Sequence, residues 1–207
     1  MALIKHTTSL PRTENTREGK RTPEGLIAEL DSENPVARRW SARDLASHPE
    51  AATALARHLA LETESSVREA ILVSLTTIGG PEAVDALVTC LRSEDVALRN
   101  EAIEAMKSMP EAVANIMAGL LRDKDPDVRI FSVNVLESLR HPNVENWLIS
   151  VIEQDPHVNV CATAVDLLGE VGSKLAILPL QQLKLRFPNE PYIGFAADLA
   201  LKRIKGA

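Results

Sequence analysis

The stretch DKDPDVRIFSVNVLESLRHPNV, residues 123–144, decides the fold. Its opening Asp-Lys-Asp-Pro-Asp has the composition of a helix start. Asp125 can accept from the first free backbone N–H groups, and Pro126 fixes a helical φ where its missing N–H costs nothing. Val128, Ser132 and Leu136 then follow at i, i+4 and i+8, which places them on one face of a helix running from Pro126 to Leu139. Ile130, Val133 and Val135 spread apolar surface around more of the circumference than a surface helix carries. The segment is far shorter than the about 20 residues of a membrane span. Other helices must therefore cover it.

Repetition supplies them. The position of Leu136 recurs at Leu45, Leu75, Met106, Leu168 and Leu201, in steps of 30, 31, 30, 32 and 33 residues. Four residues earlier stand Ser41, Ile71, Ala102, Ser132, Ala164 and Ala197; eight earlier stand Ala37, Val67, Leu98, Val128, Val160 and Ile193. A second set of helices lies between these, starting at Pro23, Pro49, Pro81, Pro110, Pro142 and Ser173. The Glu that follows Pro23, Pro49, Pro81 and Pro110 suits the positive end of a helix dipole. Six helix pairs fill 23–204. A short pair cannot bury two apolar faces alone, so pairs stack into a solenoid. Asp198, in the column held by Leu72, Ile103, Val133 and Val165 in inner repeats, marks a terminal cap.

Composition agrees with an all-α chain. Aromatics make up 3% of the residues, so the core must come from Ala, Leu, Val and Ile. The formal charge is −6; residues 1–22 carry Lys5, Arg12, Arg17, Lys20 and Arg21 against Glu14 and Glu18, a local +3 that leaves −9 on 23–207. An acidic body repels phosphate backbones, which argues against nucleic acid. Residues 1–22 have no apolar core of signal-peptide length and read as a flexible basic arm, in which Leu3 and Ile4 could form a docking peptide. Cys90 and Cys161 lie in helical patterns without metal or redox spacing, so a reduced, cytoplasmic chain with no membrane span is expected.

The turns before the second helices read NPVARRWSA (34–42), SSVREAILV (65–73), EDVALRNEAI (94–103), DPDVRIFSV (125–133) and DPHVNVCATA (155–164). Together with the PEAV starts, this order resembles HEAT repeats of the short, roughly 30-residue type named after phycobilisome (bilin) lyases. The resemblance implies a right-handed α-solenoid of HEAT-like helix pairs over 23–207, with a turn Asp capping each second helix and an adjoining Arg forming a polar ladder. Arg38, Arg68, Arg99 and Arg129 share that column, with turn carboxylates such as Asp95 and Asp125 as expected partners. The ladder should break where Cys161 and Gly194 replace Arg. The resemblance further implies a bacterial protein.

Enzymes of similar architecture leave traces that can be sought. Deoxyhypusine hydroxylases use recurring His-Glu pairs, but the five histidines here precede Thr7, Pro49, Leu59, Pro142 and Val158. The basic groove of HEAT-like DNA glycosylases conflicts with the acidic body. No phosphate loop, metal-spaced cluster or Ser/His/Asp grouping stands out, so no catalytic residue, cofactor or metal is assigned.

Helix geometry, at roughly 100° per residue, turns one row of second-helix residues away from the core. That row comprises Arg39 and Arg43; Glu69 and Val73; Asn100 and Glu104; Ile130 and Asn134; Ala162 and Asp166; Phe195 and Leu199. Trp40, Glu101 and Phe131 lie on its shoulder. The resemblance makes this the concave, ligand-facing side. Its charges and apolar centre suit a protein or peptide, which predicts a non-enzymatic adaptor or scaffold in a signalling or assembly complex. The alternative is a bilin lyase-like or other cofactor-handling protein with Cys161, Asp166, Glu104 and Phe131 near the ligand. Phe195 and Leu199 also offer a surface for self-association at the C-terminal end.

Overall fold

The computed structural model describes residues 21–206 of the chain. The expected arm lies outside the described residues as far as Lys20. Its last two residues are tied to the body: Arg21 pairs with Glu29 and Asp44, and the Thr22 hydroxyl accepts from Gly25 N–H at 3.2 Å.

Six pairs of helices follow one another. They are α1 (Pro23–Glu29) with α2 (Pro35–Asp44), α3 (Ala52–Leu59) with α4 (Ser65–Ile78), and α5 (Gly80–Cys90) with α6 (Val96–Lys107). Then come α7 (Pro110–Leu120) with α8 (Pro126–Leu136), α9 (Val144–Gln154) with α10 (Val158–Val171), and α11 (Ile177–Arg186) with α12 (Pro191–Gly206). Among the described residues there is no strand, and no helix is long and apolar enough to cross a membrane. The second helices α2, α4, α6, α8, α10 and α12 pack on one another in unbroken succession, forming one layer of an α-solenoid. Each first helix packs on its own second helix to make the other layer.

The repeat columns are what hold the stack. Leu45, Leu75, Met106, Leu136, Leu168 and Leu201 are all buried, as are the six residues four positions before them. Leu72, Ile103, Val133 and Val165 are buried between repeats, whereas Asp198 in the same column is exposed and pairs with Lys184 at 2.5 Å. The terminal cap therefore exchanges an inter-repeat hydrophobe for a solvated ion pair. Two local departures have physical causes. Helix α8 ends at Leu136 rather than Leu139, ahead of His141, which Pro142 biases out of the helical region. The segment from Ser173 begins as a 3-10 turn, Lys174–Ala176, because Pro179 has no N–H to donate back one turn. Between α4 and α5, Gly79 and Gly80 both adopt positive φ (65° and 78°), which L side chains rarely accept.

Candidate functional site

Helix starts are set as the turn residues require. The side chains of Asn34, Asp95 and Asp125 accept from Val36, Ala97 and Asp127 N–H at 3.0, 2.8 and 2.9 Å. The arginine seven residues before the Leu45, Leu75 and Leu136 column then reaches into the next repeat. Arg38 grips Glu62 through two hydrogen bonds of 2.7 and 2.9 Å, Arg68 reaches Asp95 at 2.6 Å, and Arg129 grips Asp155 at 2.6 and 3.0 Å. The Arg38 guanidinium holds the Glu62 carboxyl below the usual carboxylate range. Arg38, Arg99 and Arg129 also donate back to the carbonyl six residues earlier, at 2.9, 2.5 and 2.8 Å.

One rung departs from expectation. Asp125 spends its carboxylate on capping α8, and the Arg99 guanidinium lies over the Phe131 ring, 5.2 Å from its centroid. At the break in repeat five, Cys161 donates to the equivalent carbonyl, that of Asp155, at 3.4 Å. Arg186, from the end of α11, donates to the Asp155 carbonyl at 2.7 Å and to that of Ile152. An arginine from the following pair thus stands in for the missing one. Cys161 is fully buried, and burial pushes its thiol up to about 11. It faces the protein interior, away from any ligand surface, and is a poor nucleophile.

Residues of the predicted outward row line clefts between successive second helices. One has a volume of about 770 Å3 and runs between α4 and α6. Glu69, Val73, Asn100, Glu101 and Glu104 all line it, over a floor of Leu72 and Ala105. A cleft of about 220 Å3 between α2 and α4 gathers Arg39 and Arg43 with Glu69 and Val73. Trp40 is flanked by both arginines, each 5.5 Å from its ring centroid. Asn134 and Asp166 meet across a cleft of about 250 Å3 between α8 and α10, joined by Glu137 and Glu170. The Asp166 carboxylate accepts from Tyr192 O–H at 2.7 Å, which raises the Tyr192 pKa. A fourth cleft, of about 230 Å3, carries Asp166, Leu199 and Arg203 between α10 and α12.

Ile130 and Phe131 behave differently. Both are half-buried against the core, so neither stands free as an apolar anchor. Val73, 53% exposed, fills that description instead. Phe195 and Leu199, the residues expected to mediate self-association, are exposed on α12. Sequence reasoning missed Lys107, which binds Glu104 and Glu137 at 2.9 Å each and bridges α6 to α8. Burial works against the Lys107 charge, but the two carboxylates outweigh it and hold the pKa above the ordinary lysine value. Its signal was available: Lys107 follows the buried Met106 as Glu137 follows Leu136, placing opposite charges in one column.

The HEAT-repeat family model matches residues 23–107 and 113–205. No curated protein matches the chain. Among solved structures, an engineered protein shares 21% identity, covering 89% of this chain and 96% of its own, with a TM-score of 0.39. A designed armadillo repeat protein shares 15%, with coverage of 88% and 99% and a TM-score of 0.38. The complex of CpcE and CpcF of phycocyanin lyase from Nostoc sp. PCC7120 shares 17%, with coverage of 94% and 99% and a TM-score of 0.37.

Proposed function

The chain belongs to the HEAT-repeat family, and from that premise we propose that it is a non-enzymatic adaptor that holds a partner protein or peptide on its second-helix face, within a signalling or assembly complex. HEAT arrays are generally protein-interaction scaffolds, because stacked repeats present an extended surface whose exposed residues vary without disturbing the core. The observation that carries the reading is the row of clefts between the second helices, in which residues with no packing role in the repeat pattern, such as Glu69, Asn100, Glu104 and Asp166, stand above the buried inter-repeat positions. The ladder arginines, by contrast, are occupied in joining repeats.

The test is an affinity capture from source-cell extract with the whole protein, run beside two charge-reversed forms. Glu104→Lys combined with Asp166→Lys alters the proposed face; Asp85→Lys alters an exposed position on α5, in the other layer. A protein recovered by the wild type should be lost from the double variant and kept by Asp85→Lys. Undiminished recovery by the double variant would sink the proposal.

A further inference from the structure

The α4–α6 cleft differs from its neighbours in the charge it leaves uncompensated. Glu69, Glu101 and Glu104 line it and no basic side chain does, although Glu104 is tied to Lys107 beside the cleft at 2.9 Å. The cation behind its wall is Arg68, whose side chain is 8% exposed and whose guanidinium is committed to Asp95 at 2.6 Å. Its Nε stands 3.4 Å from Glu101 Oε2, and both atoms are buried without a hydrogen-bond partner among the described residues. Glu101 therefore has one carboxylate oxygen held against Arg68 without a hydrogen bond to it, while the side chain as a whole stays 31% exposed. Such an acceptor gains most from a charged donor arriving from outside. In the α8–α10 cleft two of the three lining acids are already engaged, Asp166 by Tyr192 and Glu137 by Lys107.

Beside these acids the floor is apolar. Val73 is half exposed, with Leu72 and Ala105 next to it, and Ser65, Ser66 and Thr76 bring only small side chains to the rim. An apolar floor supplies affinity, and carboxylates with a partly buried member select the sign of the partner's charge. Resting on the binding face proposed above, we infer that the α4–α6 cleft receives a basic amphipathic segment of a partner protein. A Lys or Arg of that segment completes the Glu101 carboxylate between Glu69 and Glu104, and an adjacent apolar side chain sits on Val73.

Three labelled peptides of equal length test this against the full chain by fluorescence anisotropy: alternating Lys and Leu blocks, the same with Glu for Lys, and the same with Ser for Leu. The Lys–Leu peptide should bind, with affinity falling as salt rises, and the other two should bind about tenfold more weakly or worse. Glu101→Gln should weaken the Lys–Leu peptide about tenfold. Glu69→Lys, an exposed change that leaves packing alone, should do at least as much, and Val73→Ser somewhat less.

Equal binding of the Lys–Ser peptide would mean general attraction to an acidic body and would overturn the inference. So would no binding of the Lys–Leu peptide, or binding indifferent to all three substitutions. Preferential binding of the Glu–Leu peptide, lost on Val73→Ser, would overturn the charge assignment while leaving the binding face intact. A synthetic peptide of residues 1–20, with its four basic and two acidic side chains, is the competitor. If it displaces the Lys–Leu peptide at equal concentration, the cleft belongs to the chain's own arm and not to a partner.

Discussion

The two joints flanking α6 are built from the same repeat columns, yet one carries an open cleft and the other is bridged by side chains. On the α4 side, Thr76 stands in the column where α6 carries Lys107, and Glu101 in the column where α8 carries Phe131. On the α8 side, Lys107 ties Glu104 to Glu137 and the Arg99 guanidinium covers Phe131. The two joints thus differ at two repeat positions, one pair of side chains leaving a cleft and the other bridging neighbouring helices. The backbone and the buried columns stay the same, which is how a solenoid can vary its surface without risking its fold.

The contrast is tested hardest at the ladder. Arg129 grips a carboxylate whose side chain is 4% exposed, whereas Arg99 has exchanged such a partner for an aromatic face and a carbonyl. Arg129→Ala should cost about 3–5 kcal/mol by leaving Asp155 buried and unpaired. Arg99→Ala should cost only about 1 kcal/mol. Urea unfolding of both variants checks this, and similar losses would mean that the two rungs are equivalent after all.

A smaller effect is expected at Arg38–Glu62. The folded pKa of Glu62 lies below its unfolded value, so its stabilising contribution is complete above the ordinary carboxylate range and disappears as pH falls through the depressed folded value. Glu62→Gln should therefore cost about 1–3 kcal/mol at neutral pH. The gap to wild type should narrow steadily under acid, as measured by denaturation midpoints across pH. A gap that persisted unchanged in acid would show that the charge of Glu62 is not what matters.

The smallest effect belongs to Lys107. Lys107→Thr, which copies the α4 residue into α6, should change stability by only about 0.5–1 kcal/mol, since its carboxylate partners are largely exposed. It should nonetheless release two negative charges into the α6–α8 joint, giving the Lys–Leu peptide a second site measurable as doubled stoichiometry. Unchanged stoichiometry would show that Phe131 alone keeps the seam shut.

The fold was legible because burial follows a period. Leu45, Leu75, Met106, Leu136, Leu168 and Leu201 could be aligned by eye, and columns at i−4 and i−8 followed. The outward row was equally accessible from helix geometry, and the structure places Glu69, Val73, Asn100, Glu101 and Glu104 around one cleft. What could not be read was how long side chains choose among partners in three dimensions. Arg99 belongs to the ladder column, but the ring of Phe131 drew it away from the expected Asp125. Ile130 points along the outward row, yet neighbouring repeats approach closely enough to half-cover it. Arg186 lies outside every repeat column considered, so nothing in the spacing announced that it would fill the place left by Cys161.

That last arrangement sets how the C-terminal part of the array can come apart. The Asp155 turn is held from both directions, its carboxylate by Arg129 of the fourth pair and its carbonyl by Arg186 of the sixth. In a one-dimensional array, the joint between neighbours governs whether units melt singly or together. Here a single turn is a shared node for three consecutive pairs. Fraying from the C-terminal end cannot peel away the last pair without stripping a donor from that node, so loss of the sixth pair also loosens the turn on which Arg129 of the fourth pair is anchored.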